Sequence, residues 1–119
     1  TMRSAVPGSG VAGSDPIVLW APEALEDLVS ISAFLAREAS PTVADQTLRT
    51  IEAVADRLGE WPLHGRPRDE LIPGLRSALA GNHIIFYRVS NPARVEIVRV
   101  IDGRRDLAGD FNVPLKTAR

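Results

Sequence analysis

Apolar residues return every three or four positions in the first half of this chain, and in short strand-like runs after Leu75. Leu25, Leu28, Ile31 and Leu35 form one stripe at helical spacing. Pro22 suits the first position of that helix, where its missing N–H would lack a partner anyway. Glu23, Glu26 and Asp27 follow in the first turns, at the positive end of the helix dipole. Ser40-Pro41 restarts the pattern, with Ser as N-cap and Pro as first helical residue. Ala44, Leu48, Ile51, Ala55 and Leu58 then line one face, and Gly59 sits where a left-handed C-cap falls. The pattern predicts two antiparallel helices joined at a tight Glu38–Pro41 corner.

Strand signals flank the hairpin. Ile17-Val18-Leu19-Trp20 is a short apolar run closed by Ala21-Pro22, and Trp61 to Pro67 reads as a loop dense in Pro and Gly. Leu75–Leu79, His83–Val89 and Val95–Ile101 read as three strands, separated by Ala80-Gly81-Asn82 and Ser90-Asn91-Pro92. Turns this short imply an antiparallel meander. The expected fold is α+β: an N-terminal strand and a helical hairpin packed on a small antiparallel β-sheet, with Ile17–Trp20 at an edge.

A sheet covered on one side alternates apolar and polar residues. Here Ile84 and Phe86 point one way, and Ile85, Tyr87 and Val89 the other. Strict alternation likewise sets Val98 and Val100 against Ile97 and Ile101. Two helices cover one face only, so the second needs a loop, the C-terminal segment, or a partner.

Length and composition refine this picture. The chain has 119 residues, 45% hydrophobic and 24% charged, which suits one domain with a modest core. It has no cysteine, which excludes a disulfide framework, a thiolate nucleophile and a Cys-based zinc site, and which fits a reducing compartment. No apolar run approaches the roughly 18 residues that a membrane span needs. Thr1–Pro16 is rich in Gly, Ser, Pro and Ala and does not read as a signal peptide. We expect residues 1–16 to be a flexible tail or an appended remnant, and residues 17–119 to form the domain. Net charge is −1, unevenly placed: Thr1–Leu63 carries 4 basic and 9 acidic residues, His64–Arg119 carries 10 and 6. The basic half suits an acidic protein or nucleic acid, and equally a solvated sheet edge. The near-neutral total argues against non-specific nucleic-acid binding.

A series of short motifs now stands in order. Pro22-x-Ala24-x-x-Asp27-Leu28 opens the first helix, and Pro62-x-x-Gly65-Arg66 follows the second. Pro73-Gly74-Leu75-Arg76, Ile85-Phe86-Tyr87-Arg88-Val89, Ile97-Val98-Arg99-Val100 and Gly103-Arg104-Arg105-Asp106 complete it. From about Trp20 to Asp106 the chain resembles the ParE/RelE superfamily of plasmid-stabilisation toxins, specifically its ParE-like branch. The resemblance implies a cytoplasmic type II toxin, neutralised by a cognate antitoxin in a hetero-oligomer. ParE-like members inhibit DNA gyrase; RelE-like members cleave mRNA on the ribosome without metal. A degenerate member that only binds an antitoxin is the third reading.

Metal-free RNA cleavage needs a base, an acid and cations for the phosphorane charge. Arg105 falls where the RelE-like pattern has an Arg, but Ile84 replaces its second Arg and Phe111 its late aromatic hydroxyl. Asp102 stands where His is frequent. His83 shares a strand face with Tyr87, an acid/base pair in principle, although a His at a strand edge is more often solvated surface. His64 reads as a turn residue, and Asp45, Glu52 and Asp56 as the solvated face of the second helix. We therefore expect no catalytic residues, no metal and no cofactor. Arg76, Arg88, Arg99, Arg104 and Arg105 are the candidates for target contact, each with a salt bridge as its alternative role. Ile85, Tyr87 and Ile97 are the candidates for antitoxin contact.

Overall fold

A computed structural model describes residues 17–91 and 94–104. Its elements are β1 (Ile17–Trp20), α1 (Pro22–Glu38), α2 (Pro41–Glu60), β2 (Arg66–Pro67), β3 (Arg76–Ala80), β4 (His83–Asn91) and β5 (Arg94–Asp102). The strands form one sheet in the order β1-β5-β4-β3-β2. The meander is antiparallel, and β1 joins its edge parallel to β5 with Val18 opposite Val95 and Trp20 opposite Ile97. The sheet is thus mixed, and the architecture is α+β. Among the described residues no helix is long and apolar enough to cross a membrane.

The helices begin as their sequences predict. Each has proline in its first turn, and the Ser40 hydroxyl accepts the Val43 N–H at 3.1 Å. α2 buries Ala44, Ile51, Ala55 and Leu58, with Leu48 half-buried. Its end differs from expectation. Gly59 is a buried residue inside the last turn, and the helix continues to Trp61 as its cap. α1 turns Ala24 inward and leaves Leu25 half exposed, with Leu28, Ile31 and Leu35 partly buried. The stripe therefore starts one residue earlier than spacing alone suggested.

The main core lies between the hairpin and the sheet, built on Ile51, Ala55, Leu58, Ile85, Tyr87, Val95, Ile97 and Val100. Ile97 and Val100 share this face, although three residues apart. The alternation expected for β5 is thus corrected: Val100 belongs with Ile97, and Val98 with Ile101. The cause is a β-bulge. Phe86 pairs with Arg99 and Tyr87 with Ile97, so β5 carries one extra residue there.

The second face of the sheet holds its own cluster of Leu75, Ile84, Phe86 and Ile101. Leu71 and Ile72, from the loop before β3, pack over it with Val98. A loop thus supplies cover that the helices cannot reach. That loop is held by Arg68 N–H to Leu75 C=O at 2.7 Å, and by Asp69 accepting the Gly74 N–H at 2.8 Å. Gly74 takes φ 83°, a conformation that favours glycine.

Candidate functional site

The motif residues meet in pairs. Asp27, from the first turns of α1, faces the bulge in β5. Its carboxylate accepts from Arg99 Nε at 2.7 Å and a second guanidinium nitrogen at 2.9 Å, and also from the Val100 N–H at 2.9 Å. Both side chains are largely buried. A bulge disrupts the ladder, and a helix-borne carboxylate satisfies the amide beside it. The first and fifth motifs are therefore two halves of one latch.

The second and fourth motifs form another. The buried Tyr87 hydroxyl donates to Pro62 C=O and accepts the Gly65 N–H, both at 2.8 Å. Arg76 donates to Gly65 C=O at 3.1 Å and Leu63 C=O at 3.2 Å. A Cβ at residue 65 would come within 2.5 Å of both Ser77 C=O and the Tyr87 hydroxyl, so only glycine fits. The loop after α2 is pinned from three directions.

These contacts reassign most of the expected site residues. Ile85, Tyr87 and Ile97 lie fully buried beneath the helical hairpin and offer no surface to a partner; that expectation is corrected. Arg99 holds Asp27, and Arg76 holds the loop, so both guanidinium groups are committed within the fold. Arg88 is exposed and pairs with Glu96 across the strands at 3.1 Å. Arg104 is exposed, and its guanidinium lies 2.8 Å from Asp102. That contact holds the Asp102 carboxyl far below the usual carboxylate range and raises Arg104 in turn. Arg105 and Phe111 lie outside the described residues.

His83 stands opposite Asp102 in the β4–β5 ladder. Its Nδ1 is buried with no hydrogen-bond partner among the described residues. Burial lowers its pKa from the ordinary value, Asp102 opposes this and Arg104 adds to it. Tyr87 is absorbed by the loop latch, so no His83–Tyr87 acid/base pair is poised for substrate. Among the described residues no group of His, Asp or Glu stands at metal-binding spacing. Asp45, Glu52 and Asp56 are exposed on α2, with Asp45 paired to Arg49, as expected for a solvated face.

Sequence reasoning passed over a different set. A groove of about 480 Å³ runs between α2 and the outer edge of β3, with Arg57, His64, Arg66 and Arg68 in its walls. Arg68 is fixed there: it bonds Glu70 at 2.7 Å and Ser77 at 3.3 Å, and lies 5.6 Å above the Phe86 ring. Only Arg66 was visible in a motif; Arg57 reads in sequence as an ordinary last-turn cation.

A helical hairpin on a mixed sheet, latched by Asp27–Arg99 and Tyr87–Gly65, defines a small toxin-type α+β domain whose conspicuous polar residues are mostly structural. The chain belongs to the ParE toxin family: the model for the ParE toxin of the type II toxin–antitoxin system parDE matches residues 18–107. Toxin ParE1 of Mycobacterium tuberculosis is 41% identical over 64 residues, 54% of this chain and 65% of that protein's length. Toxin ParE3 of Caulobacter vibrioides is 42% identical over 69 residues, 58% of this chain and 68% of that one. The match thus spans about two thirds of these relatives. A solved structure of the chromosomal ParDE system from P. aeruginosa shares the fold, with a TM-score of 0.64 at 20% identity over 73% of this chain and 95% of that one.

Proposed function

We propose that this protein is the toxin of a type II toxin–antitoxin pair, that it inhibits DNA gyrase by binding, and that a cognate antitoxin neutralises it in the cytoplasm. Family membership supports the toxin reading. One observation carries the non-enzymatic reading. Ile84 stands where the RelE-like pattern has an Arg, and it is sealed with Leu75, Phe86 and Ile101 under Leu71 and Ile72. An RNA-cleaving face needs cations there for the phosphorane charge, and this one is filled with hydrocarbon. Tyr87 and Arg99, groups that would otherwise suit acid/base or phosphate work, are engaged in the two latches.

DNA supercoiling by gyrase, with and without the purified chain, tests the proposal. Loss of supercoiling, restored by antitoxin, is expected, with mRNA left intact in a translation reaction. Unimpaired gyrase with cut mRNA would establish the interferase reading instead. A chain that is harmless when expressed without antitoxin would indicate a binding partner only.

A further inference from the structure

β2 is two residues long and pairs only with Arg76 and Ser77 of β3. Beyond Ser77, among the described residues, no strand covers the outer edge of β3. The two-residue turn Gly81-Asn82 closes on the pair Ala80 and His83. In such a hairpin the closing pair exchanges hydrogen bonds and the ladder alternates from there. Ala80 and Ala78 thus direct their backbone groups at β4, while Leu79 directs its N–H and C=O outward. The outward pairing of Ser77 with β2 fits the same phase.

This open edge faces the groove described above. Val54 and Arg57 of α2 form one wall, and Ala78 and Leu79 lie along the other. Arg57, His64, Arg66 and Arg68 gather at one end, with Glu70 as the neighbouring anion that Arg68 already engages. Leu79 is 73% exposed beside it. A free strand edge, small apolar walls and clustered guanidinium groups select an extended chain with carboxylates beside short apolar side chains. Single-stranded nucleic acid fits less well, because no Phe, Tyr or Trp lines the groove to stack on bases.

We infer that the cognate antitoxin adds an extended, acidic segment to the edge of β3 at Leu79, with its carboxylates at Arg57 and Arg66. The inference rests on the toxin–antitoxin reading and gives it a location.

Amide exchange on the full chain, alone and with the cognate antitoxin, provides the test, together with two variants. In the free chain the Leu79 amide exchanges readily, and antitoxin slows it strongly. The variant L79P removes that donor at an edge position where proline is tolerated, and weakens antitoxin by about tenfold. The double variant R57E/R66E changes exposed side chains only, and weakens binding by about tenfold or more, with the loss shrinking in high salt. Thermal melts establish that each variant folds. Antitoxin that binds while Leu79 exchanges at its free rate, or that binds both variants as tightly as the parent, overturns the inference and leaves the functional reading standing. A Leu79 amide already protected in the free chain also overturns it, since the chain then fills its own edge. Oligo-dT that protects Leu79 in place of antitoxin assigns the groove to nucleic acid and overturns it too. If antitoxin does not bind the parent chain at all, the functional reading falls, and the inference with it.

Discussion

Asp27 answers two demands at once, the Arg99 guanidinium and the Val100 amide released by the bulge. Asp27→Ala removes both contacts from a largely buried site and should cost about 2–3 kcal/mol in urea unfolding. Asp27→Asn, which keeps one acceptor, should cost less. Tyr87→Phe strips the hydroxyl that holds Pro62 and Gly65, and should cost about 1–3 kcal/mol by the same measurement. His83 carries a pH dependence. Its folded pKa lies below its unfolded value, so the unfolded chain takes up the proton first as pH falls. Stability is fully present above the unfolded value near 6.5 and is lost as pH falls from there toward the folded value. Urea midpoints at about pH 7.5 and pH 5.5 should therefore differ, and His83→Gln should narrow the difference. Asp102 acts in the opposite range: its lowered pKa contributes stability that disappears only in acid.

Elements were the most legible level. Both helices start where a proline and, for α2, the Ser40 cap say they should, because those signals are local. Ser40→Ala is expected to lower stability by about 1 kcal/mol, read from the thermal midpoint. β5 was legible as a strand but not in its phase. Alternation assumes an unbroken ladder, and the bulge at Arg99 is fixed by Asp27 some seventy residues earlier. A contact that distant leaves no mark on local spacing. The same limit explains why Ile85, Tyr87 and Ile97 were misplaced. Their face was grouped correctly, but which face the hairpin would choose depended on the loop at Leu71 and Ile72 taking the other.

At the scale of the molecule, two apolar layers sandwich one sheet, and the sequence's missing cover proves to be its own loop. The charge asymmetry was legible as a number, and its placement was not. Arg76 and Arg99 turned inward as struts, while Arg57 and Arg66 converge on one groove from elements that spacing cannot relate. Gly65→Ala should disturb this whole region, since the loop between α2 and β2 has no room for a methyl group. Its expected signature is a lower thermal midpoint together with weaker antitoxin binding, whereas Tyr87→Phe should act mainly on the midpoint.

The two-residue length of β2 has a consequence for the chain in isolation. An uncovered strand end is a template for a second copy as much as for a partner, and it invites edge-to-edge self-association. Two copies meeting there would bring Arg57 and Arg66 of one against the same pair of the other, and like charges keep them apart at low ionic strength. Salt screens that repulsion. Sedimentation of the free chain is therefore expected to shift toward dimers as salt rises, the reverse of its effect on an acidic partner. R57E/R66E retains the repulsion with inverted sign and should follow the same trend, whereas L79P should remain monomeric throughout.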